Sequence, residues 1–244
     1  MKRIYADLHL CPNLRDFASV SEMVSKASRL GYSLIGIVFP SSSTEEEIGR
    51  LRGIGKEVGV DLVSRVDLKP RTPNELLYGL RRLRRRFELI GVVCGSKSVA
   101  RQAAKDRRVD LLSFSSVDFR WRFFDRAEAE LASGGLACFE VDVKPLLSLE
   151  GVVRVRFLSS LRREVAIAEE FGVPVVLSSG VSDGMLLRRP RELAAFASLF
   201  DLGEVSAMDA VSKNPVAIVR RNRDKLGSRF VAPGMRVVRR GKGC

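Results

Sequence analysis

Asp7 and His9 stand two residues apart at the end of an apolar run, RIYADLHL, that reads as a β-strand. Side chains two apart on a strand share a face, so the pair is expected to point together from the strand's C-terminal end. Asp67, Glu140 and Asp142 close later runs of the same kind, VDLVSRVDL and LACFEVDV, and Asp183 follows another, VPVVLSSG. Gathered at one end of a sheet, these carboxylates and the chain's one histidine could hold a divalent metal and hydrolyse a phosphate ester. The same groups could instead be polar residues neutralised by the chain's many arginines. With a single histidine, catalytic triads and multi-histidine metal sites are nearly excluded.

The second chemistry-bearing group is cationic. Lys and Arg number 42 against 29 Asp and Glu, a net charge of +13 with pI near 10.2, and only ten of the 42 are lysine. Guanidinium offers phosphate a planar fork of donors and can stack on bases, so the excess suits an RNA or phosphate partner. Arginine-rich codon usage or a thermophilic surface would produce the same excess. The cations recur after successive apolar runs: Arg81 to Arg86, then Lys97, Arg101, Lys105 and Arg107, then Arg120 and Arg122 around Trp121, then Lys144, Arg154 and Arg156, then Arg188, Arg189 and Arg191. Where several share one rim, they make a surface that contacts backbone phosphates with strong salt dependence and reads structured RNA by shape. The candidate RNA-binding set is Arg86, Lys97, Arg101, Arg107, Lys144, Arg154, Arg156, Arg188, Arg189 and Arg191.

These residues must be positioned by alternating strands and helices. Strands are expected near Arg3–Leu10, Ser33–Phe39, Val60–Leu68, Leu89–Cys94, Val109–Phe114, Leu136–Val143 and from Val173. Helix starts are expected at Ser19 or Ser21, at Thr44 before TEEE, at Thr72-Pro73, at Lys97, after Arg122, near Val152 and at Pro190, with a last helix from Val205 to Asn222. Strand-helix repetition without a linker predicts an α/β fold, a single closed parallel (β/α) barrel of TIM-like form with seven or eight βα units over residues 1–238. RFVAPGMRVV is expected to close the sheet as a last strand, and the short basic tail 239–244 to be disordered. A doubly wound open sheet is the weaker alternative, because no Gly-rich dinucleotide loop follows the first strand.

A chain of 244 residues with 45% hydrophobic content and mean hydropathy +0.02 can bury a core without disulfides or metal. Cys11, Cys94, Cys138 and Cys244 lack metal-ligand spacing and are expected as free thiols. No apolar run approaches the roughly 20 residues of a membrane span. Asp7 and His9 interrupt any signal-peptide core, and the chain reads as cytoplasmic.

Taken in order, DLHL, VDLLSFSS, VKPLL, VPVVLSSG with LRRPREL, and VSKNPVAIVRRNR resemble the ribonuclease P protein component 3 family. The resemblance implies a barrel related to the polymerase and histidinol phosphatase superfamily, with Asp7-x-His9 as the remnant of a first metal motif whose other histidines are missing here. It also implies a protein subunit that supports a catalytic RNA in removing the 5′ leader of precursor tRNA. On that reading magnesium is used by the RNA, the subunit binds no cofactor, and a small partner protein forms a heterodimer or a dimer of heterodimers with it. RNA contact is implied for Arg101, Arg154, Arg188 and Arg191. The competing readings are a metal-dependent phosphoesterase using Asp7, His9, Asp67, Glu140 and Asp142, and a barrel that binds a small phosphorylated ligand.

Overall fold

The computed structural model describes residues 3–114, 118–232 and 235–238. Ser115 and Ser116 of the VDLLSFSS motif, and the tail 239–244 with Cys244, lie outside the described residues.

Strands β1 (Ala6–Leu10), β2 (Leu34–Val38), β3 (Asp61–Leu68), β4 (Leu89–Val93), β5 (Leu111–Ser113), β6 (Cys138–Asp142) and β7 (Val175–Ser178) form one parallel sheet in sequential order. Between them run α1 (Phe17–Leu30), α2 (Glu45–Glu57), α3 (Pro73–Leu83), α4 (Lys97–Lys105), α5 (Arg126–Ser133), α6 (Lys144–Ser148) and α7 (Gly151–Glu170). After β7 come α8 (Pro190–Ala195), α9 (Glu204–Ala210) and α10 (Lys213–Leu226). Sequential order excludes the doubly wound sheet, whose strand order reverses.

Local chemistry sets most helix starts. Thr44 and Glu47 form a capping box at α2, and the Thr72 hydroxyl accepts from the Glu75 N–H ahead of Pro73. For α1 the cap is Asp16, which accepts from the Ala18 and Ser19 N–H groups, rather than Ser19 or Ser21. The buried stripe of that helix begins at Val20, so a cap at Ser19 or Ser21 would cost the helix its first turn. The single last helix expected from Val205 to Asn222 is two helices, α9 and α10, separated at Val211 and Ser212.

The barrel closes at one end through Gly180 N–H donating to His9 O (3.0 Å) and Cys11 N–H to Val181 O (2.9 Å). At the other end Ala6 N–H donates to Val211 O (2.9 Å), and the Asn214 amide donates to Val175 O (2.8 Å). The turn between α9 and α10 and the first turn of α10 thus satisfy edge groups of β1 and β7 that an eighth strand would otherwise use. RFVAPGMRVV accordingly does not join the barrel. Phe230–Ala232 (β8) pairs antiparallel with Met235–Arg236 (β9) in a separate two-stranded sheet; Pro233 and Gly234 lie outside the described residues.

Two cores result. Between strands and helices, Ile35, Ile37, Leu62, Val66, Ile90, Val92, Phe139 and Leu177 pack against helix residues such as Val24, Leu76, Leu80 and Leu161. Inside the barrel, Ala6, Leu8, Leu34, Val63, Leu89, Leu111, Cys138 and Val176 form an apolar layer plugged by Ile218 and Val219 of α10. A polar layer lies above it toward the strands' C-terminal ends. Gly36 permits the close approach of β1, since a Cβ there would lie 2.5 Å from Leu8 O.

Candidate functional site

The polar layer is built from strand residues spaced two apart. Arg65 and Asp67 come from β3, Glu140 and Asp142 from β6, Ser178 from β7 and His9 from β1. The fully buried Arg65 guanidinium is its centre: Nη1 and Nη2 donate to the two Glu140 oxygens (2.5 and 2.6 Å), Nε donates to Asp67 Oδ1 (2.7 Å), and Nη1 also donates to Leu8 O (3.0 Å). Ser178 Oγ donates to Glu140 Oε1 (2.8 Å). His9 lies between Asp142 (Nδ1 to Oδ1, 2.7 Å) and Asp67 (Nε2 to Oδ2, 3.3 Å), with Glu140 Oε2 3.8 Å from Nδ1. Gly91 on β4 makes room for the guanidinium, because a Cβ there would meet Asp67 Oδ1 at 2.3 Å and Arg65 Nη2 at 3.0 Å.

Asp7 does not join this group. It alternates with Ala6 and Leu8, which face the barrel interior, so its own side chain is on the opposite face. The pairing of β1 with β2 shifts register between Asp7 and Leu10, and a bulge of this kind re-aims the following side chain, bringing His9 inward. The Asp7 carboxylate accepts from the His9 and Ser179 N–H groups, both at 3.1 Å through Oδ1, while buried Oδ2 has no hydrogen-bond partner among the described residues. Asp183 is also apart, an exposed residue that accepts from the Met185 N–H.

Electrostatics follow from this geometry. Burial alone would raise the Asp67 carboxyl, but Arg65 and His9 hold it well below the usual carboxylate range. Burial and Arg65 both oppose a charge on His9, and Asp142 and Glu140 overcome them, so His9 titrates well above an ordinary histidine. The layer is therefore two cations among three carboxylates, each cation bonded to more than one of them.

Ligand atoms of His9, Glu140 and Asp142 do lie within 4.8 Å of one another, the spacing of a metal trio. They do not fit a divalent ion as arranged. Both Glu140 oxygens are taken by Arg65, so without breaking that bidentate pair the trio offers an ion only His9 and Asp142. The phosphoesterase reading loses Asp7 to the bulge and Glu140 to Arg65. Arg65 is the functional-looking residue that motif reading passed over. Its signal was an arginine inside an otherwise apolar strand, two residues before Asp67.

Burial pushes the Asp7 carboxyl up to about 6 from an ordinary 3.8. Between those values the folded chain binds this proton more tightly than the unfolded chain, so stability falls as pH rises through the window, by on the order of 2–3 kcal/mol. Asp7→Asn is expected to remove that fall, flattening the profile between about pH 4 and 6 and raising stability at pH 7. Urea unfolding across the range measures it, and a less stable variant at pH 7 would mean that the charge is used.

The ten candidate cations divide between the barrel's two ends. Lys97 and Arg101 follow β4 on α4; Lys144 opens α6; Arg154 and Arg156 lie on α7; Arg188, Arg189 and Arg191 follow β7. All eight belong to segments that leave the C-terminal ends of strands. Arg86 and Arg107 lie instead in the turns entering β4 and β5, at the N-terminal ends, and Arg86 donates to Ser41 O (3.2 Å) and Ser43 O (2.9 Å). Lys97 pairs with Asp125 (3.1 Å) and Arg101 with Glu128 (3.4 Å), whereas Arg154 and Arg188 bond only carbonyl oxygens. Among the described residues Lys144, Arg156, Arg189 and Arg191 have no carboxylate partner for their cations, so their charge is available to a ligand. Exposed Val152, Val153 and Val155 interleave with Arg154 and Arg156 at the start of α7, and exposed Trp121 packs edge-on against Phe123.

Fold and site together define a (β/α)-barrel protein whose interior polar layer pairs Arg65 and His9 with Asp67, Glu140 and Asp142, and whose C-terminal rim carries cations without carboxylate partners among the described residues. The family model described as RNase P subunit p30 matches residues 4–226. Ribonuclease P protein component 3 of Methanosarcina mazei is 30% identical over 220 residues, covering 90% of each chain. The protein of the same description from Methanococcoides burtonii is 30% identical over 224 residues, covering 91% of this chain and 90% of its own. A chain in the cryo-EM structure of archaeal ribonuclease P with mature tRNA superposes with TM-score 0.84 at 19% identity, over 96% of this chain and 99% of that one. The barrel shape extends to a putative prolidase from Bifidobacterium longum, with TM-score 0.55 and 13% identity over 90% and 70% of the two chains. The chain belongs to the RNase P subunit p30 family. Among the described residues no helix is long and apolar enough to cross a membrane.

Proposed function

We propose that this subunit supports the catalytic RNA of ribonuclease P as it removes the 5′ leader from precursor tRNA, binding RNA through the cations of its C-terminal rim and performing no chemistry itself. The observation that carries this reading is the division of charge: Asp67, Glu140 and Asp142, which could have held a metal, are tied to Arg65 and His9, while among the described residues the side chains of Lys144, Arg156, Arg189 and Arg191 have no carboxylate partner. Unneutralised arginines beside Arg188 suit the phosphates of a folded RNA, which they bind with steep salt dependence. Magnesium belongs to the RNA on this reading, and the subunit needs no cofactor. Val152, Val153 and Val155 form an apolar patch at the start of α7 that suits the small partner protein, as a heterodimer or a dimer of heterodimers. Free thiols at Cys11, Cys94 and Cys138 are consistent with a cytoplasmic setting.

The test is precursor-tRNA cleavage at limiting magnesium with a cognate catalytic RNA and the small partner protein. Addition of this chain is expected to stimulate cleavage only when the partner is present. Arg189→Glu/Arg191→Glu should weaken the assembled complex by about tenfold or more at moderate salt. Undiminished cleavage by that variant would remove the rim from the account, and no stimulation by the parent chain would remove the function.

A further inference from the structure

At the barrel's other end, the turn from α3 into β4, the turn from α4 into β5 and the end of α10 surround a concavity of about 420 Å³. Arg84, Arg85, Arg107, Arg108 and Lys225 line it, with half-buried Phe230 as an apolar wall. Some of these cations are committed to the fold. Arg84 donates to Asp110 Oδ2 (2.5 Å) and to Glu88 O (2.8 Å), Arg108 is bidentate on Asp106 (2.9 and 2.7 Å), and neighbouring Arg221 takes the other Asp110 oxygen (2.8 Å). Asp106 and Asp110 are thereby used up. Arg85, Arg107 and Lys225 are left with no carboxylate partner among the described residues. The crowding is felt at Lys225, whose ammonium is held below the usual lysine range by partial burial first and by Arg221 next, with Asp110 opposing them and Arg84 and Arg107 adding lesser repulsion.

We infer that this concavity is a second RNA-backbone site, in which Arg85, Arg107 and Lys225 bind phosphodiester groups at the end of the barrel opposite the rim. Like charges held together without an anion favour a ligand that brings several negative charges at once, and a nucleic-acid backbone does so at regular spacing. Guanidinium groups at two of the three positions suit phosphate geometry. The inference rests on the function proposed above, because ribonuclease P supplies the polyanion. Its consequence is that the barrel bridges two RNA segments rather than resting on one.

The experiment compares Arg85→Glu/Arg107→Glu with the rim variant Arg189→Glu/Arg191→Glu, each assembled with the partner protein. Binding to the catalytic RNA is titrated at several salt concentrations, and the RNA is footprinted with hydroxyl radicals. All four side chains are exposed, so both variants should melt like the parent. Arg85→Glu/Arg107→Glu is expected to weaken binding about tenfold or more and to reduce the salt slope by about 1 to 2. It should lose protection at nucleotides different from those lost by the rim variant. Unchanged affinity and footprint, with the rim variant impaired, would overturn this site and leave the proposed function standing. Parent-like behaviour of both variants would overturn both. Loss of a protein component from the assembly with the RNA footprint intact would assign the concavity to an acidic protein segment and overturn the RNA site.

Discussion

Arg65→Met is expected to lower the unfolding free energy by about 3–5 kcal/mol, the cost of leaving a buried ion-pair partner uncompensated. The guanidinium is the main neutralising group for Glu140 and Asp67, both deep in the barrel, and it also fills the Leu8 carbonyl's need for a donor. Methionine replaces its volume but none of its charge or hydrogen bonds. His9 cannot take over, since it is held by Asp142 and Asp67 and lies 3.8 Å from Glu140 Oε2. Removing the anion as well should recover much of the loss, so Arg65→Met/Glu140→Gln is expected to be more stable than Arg65→Met alone. Denaturant unfolding of the parent, both single variants and the double variant closes the cycle. A loss below about 1 kcal/mol in Arg65→Met would show that water or a rearranged His9 already shields these carboxylates.

The second large effect is expected at Glu164. This fully buried residue of α7 accepts from Arg122 Nε (2.9 and 3.1 Å) and Nη2, while Arg122 also donates to Phe114 O and lies over the Phe157 ring at 5.0 Å. The pair fastens the segment between β5 and α5, with Trp121 and the Lys97 partner Asp125, to the helix that carries Arg154 and Arg156. Burial nevertheless keeps the Glu164 carboxyl above its ordinary value in spite of Arg122, so desolvation outweighs the attraction. Glu164→Ala should cost about 3–5 kcal/mol, because it removes the buried carboxylate that the Arg122 guanidinium grips through two of its nitrogens. Arg122→Met/Glu164→Leu should cost far less and could match the parent, since the desolvation penalty disappears with both charges. Equal losses in the single and double variants would mean that the pair is worth its full Coulombic attraction here.

The sheet's alternation with helices could be read directly from the chain. Apolar runs and their stops placed seven strands in sequential order, and Thr44, Thr72 with Pro73, and Pro190 marked helix starts that the structure confirms. These signals are local, acting within one turn of helix or one strand. The cation-rich rim was legible in outline for the same reason, because each of its segments directly follows a strand. Glu140 and Asp142 were legible as an interior pair, since nothing interrupts the alternation of β6.

What failed to show in the sequence depends on distant pairing. The β1 bulge separates Asp7 from His9, and it exists only as a mismatch of register against β2. Arg65 appears as a stray charge in an apolar strand until β6 brings Glu140 opposite it. Arg86 and Arg107 were grouped with the rim by their order in the chain, yet they enter strands rather than leave them. Among the described residues no eighth strand joins the barrel, and Val211 and Asn214 satisfy edge groups of β1 and β7 from another part of the chain. Neighbouring residues thus account for the alternating elements and for the starts at Thr44, Thr72 and Pro190, and composition alone gives the surplus of positive charge. Only tertiary structure decided which charges cancel and which remain for a ligand, because cancellation requires side chains far apart in sequence to meet in a space without water.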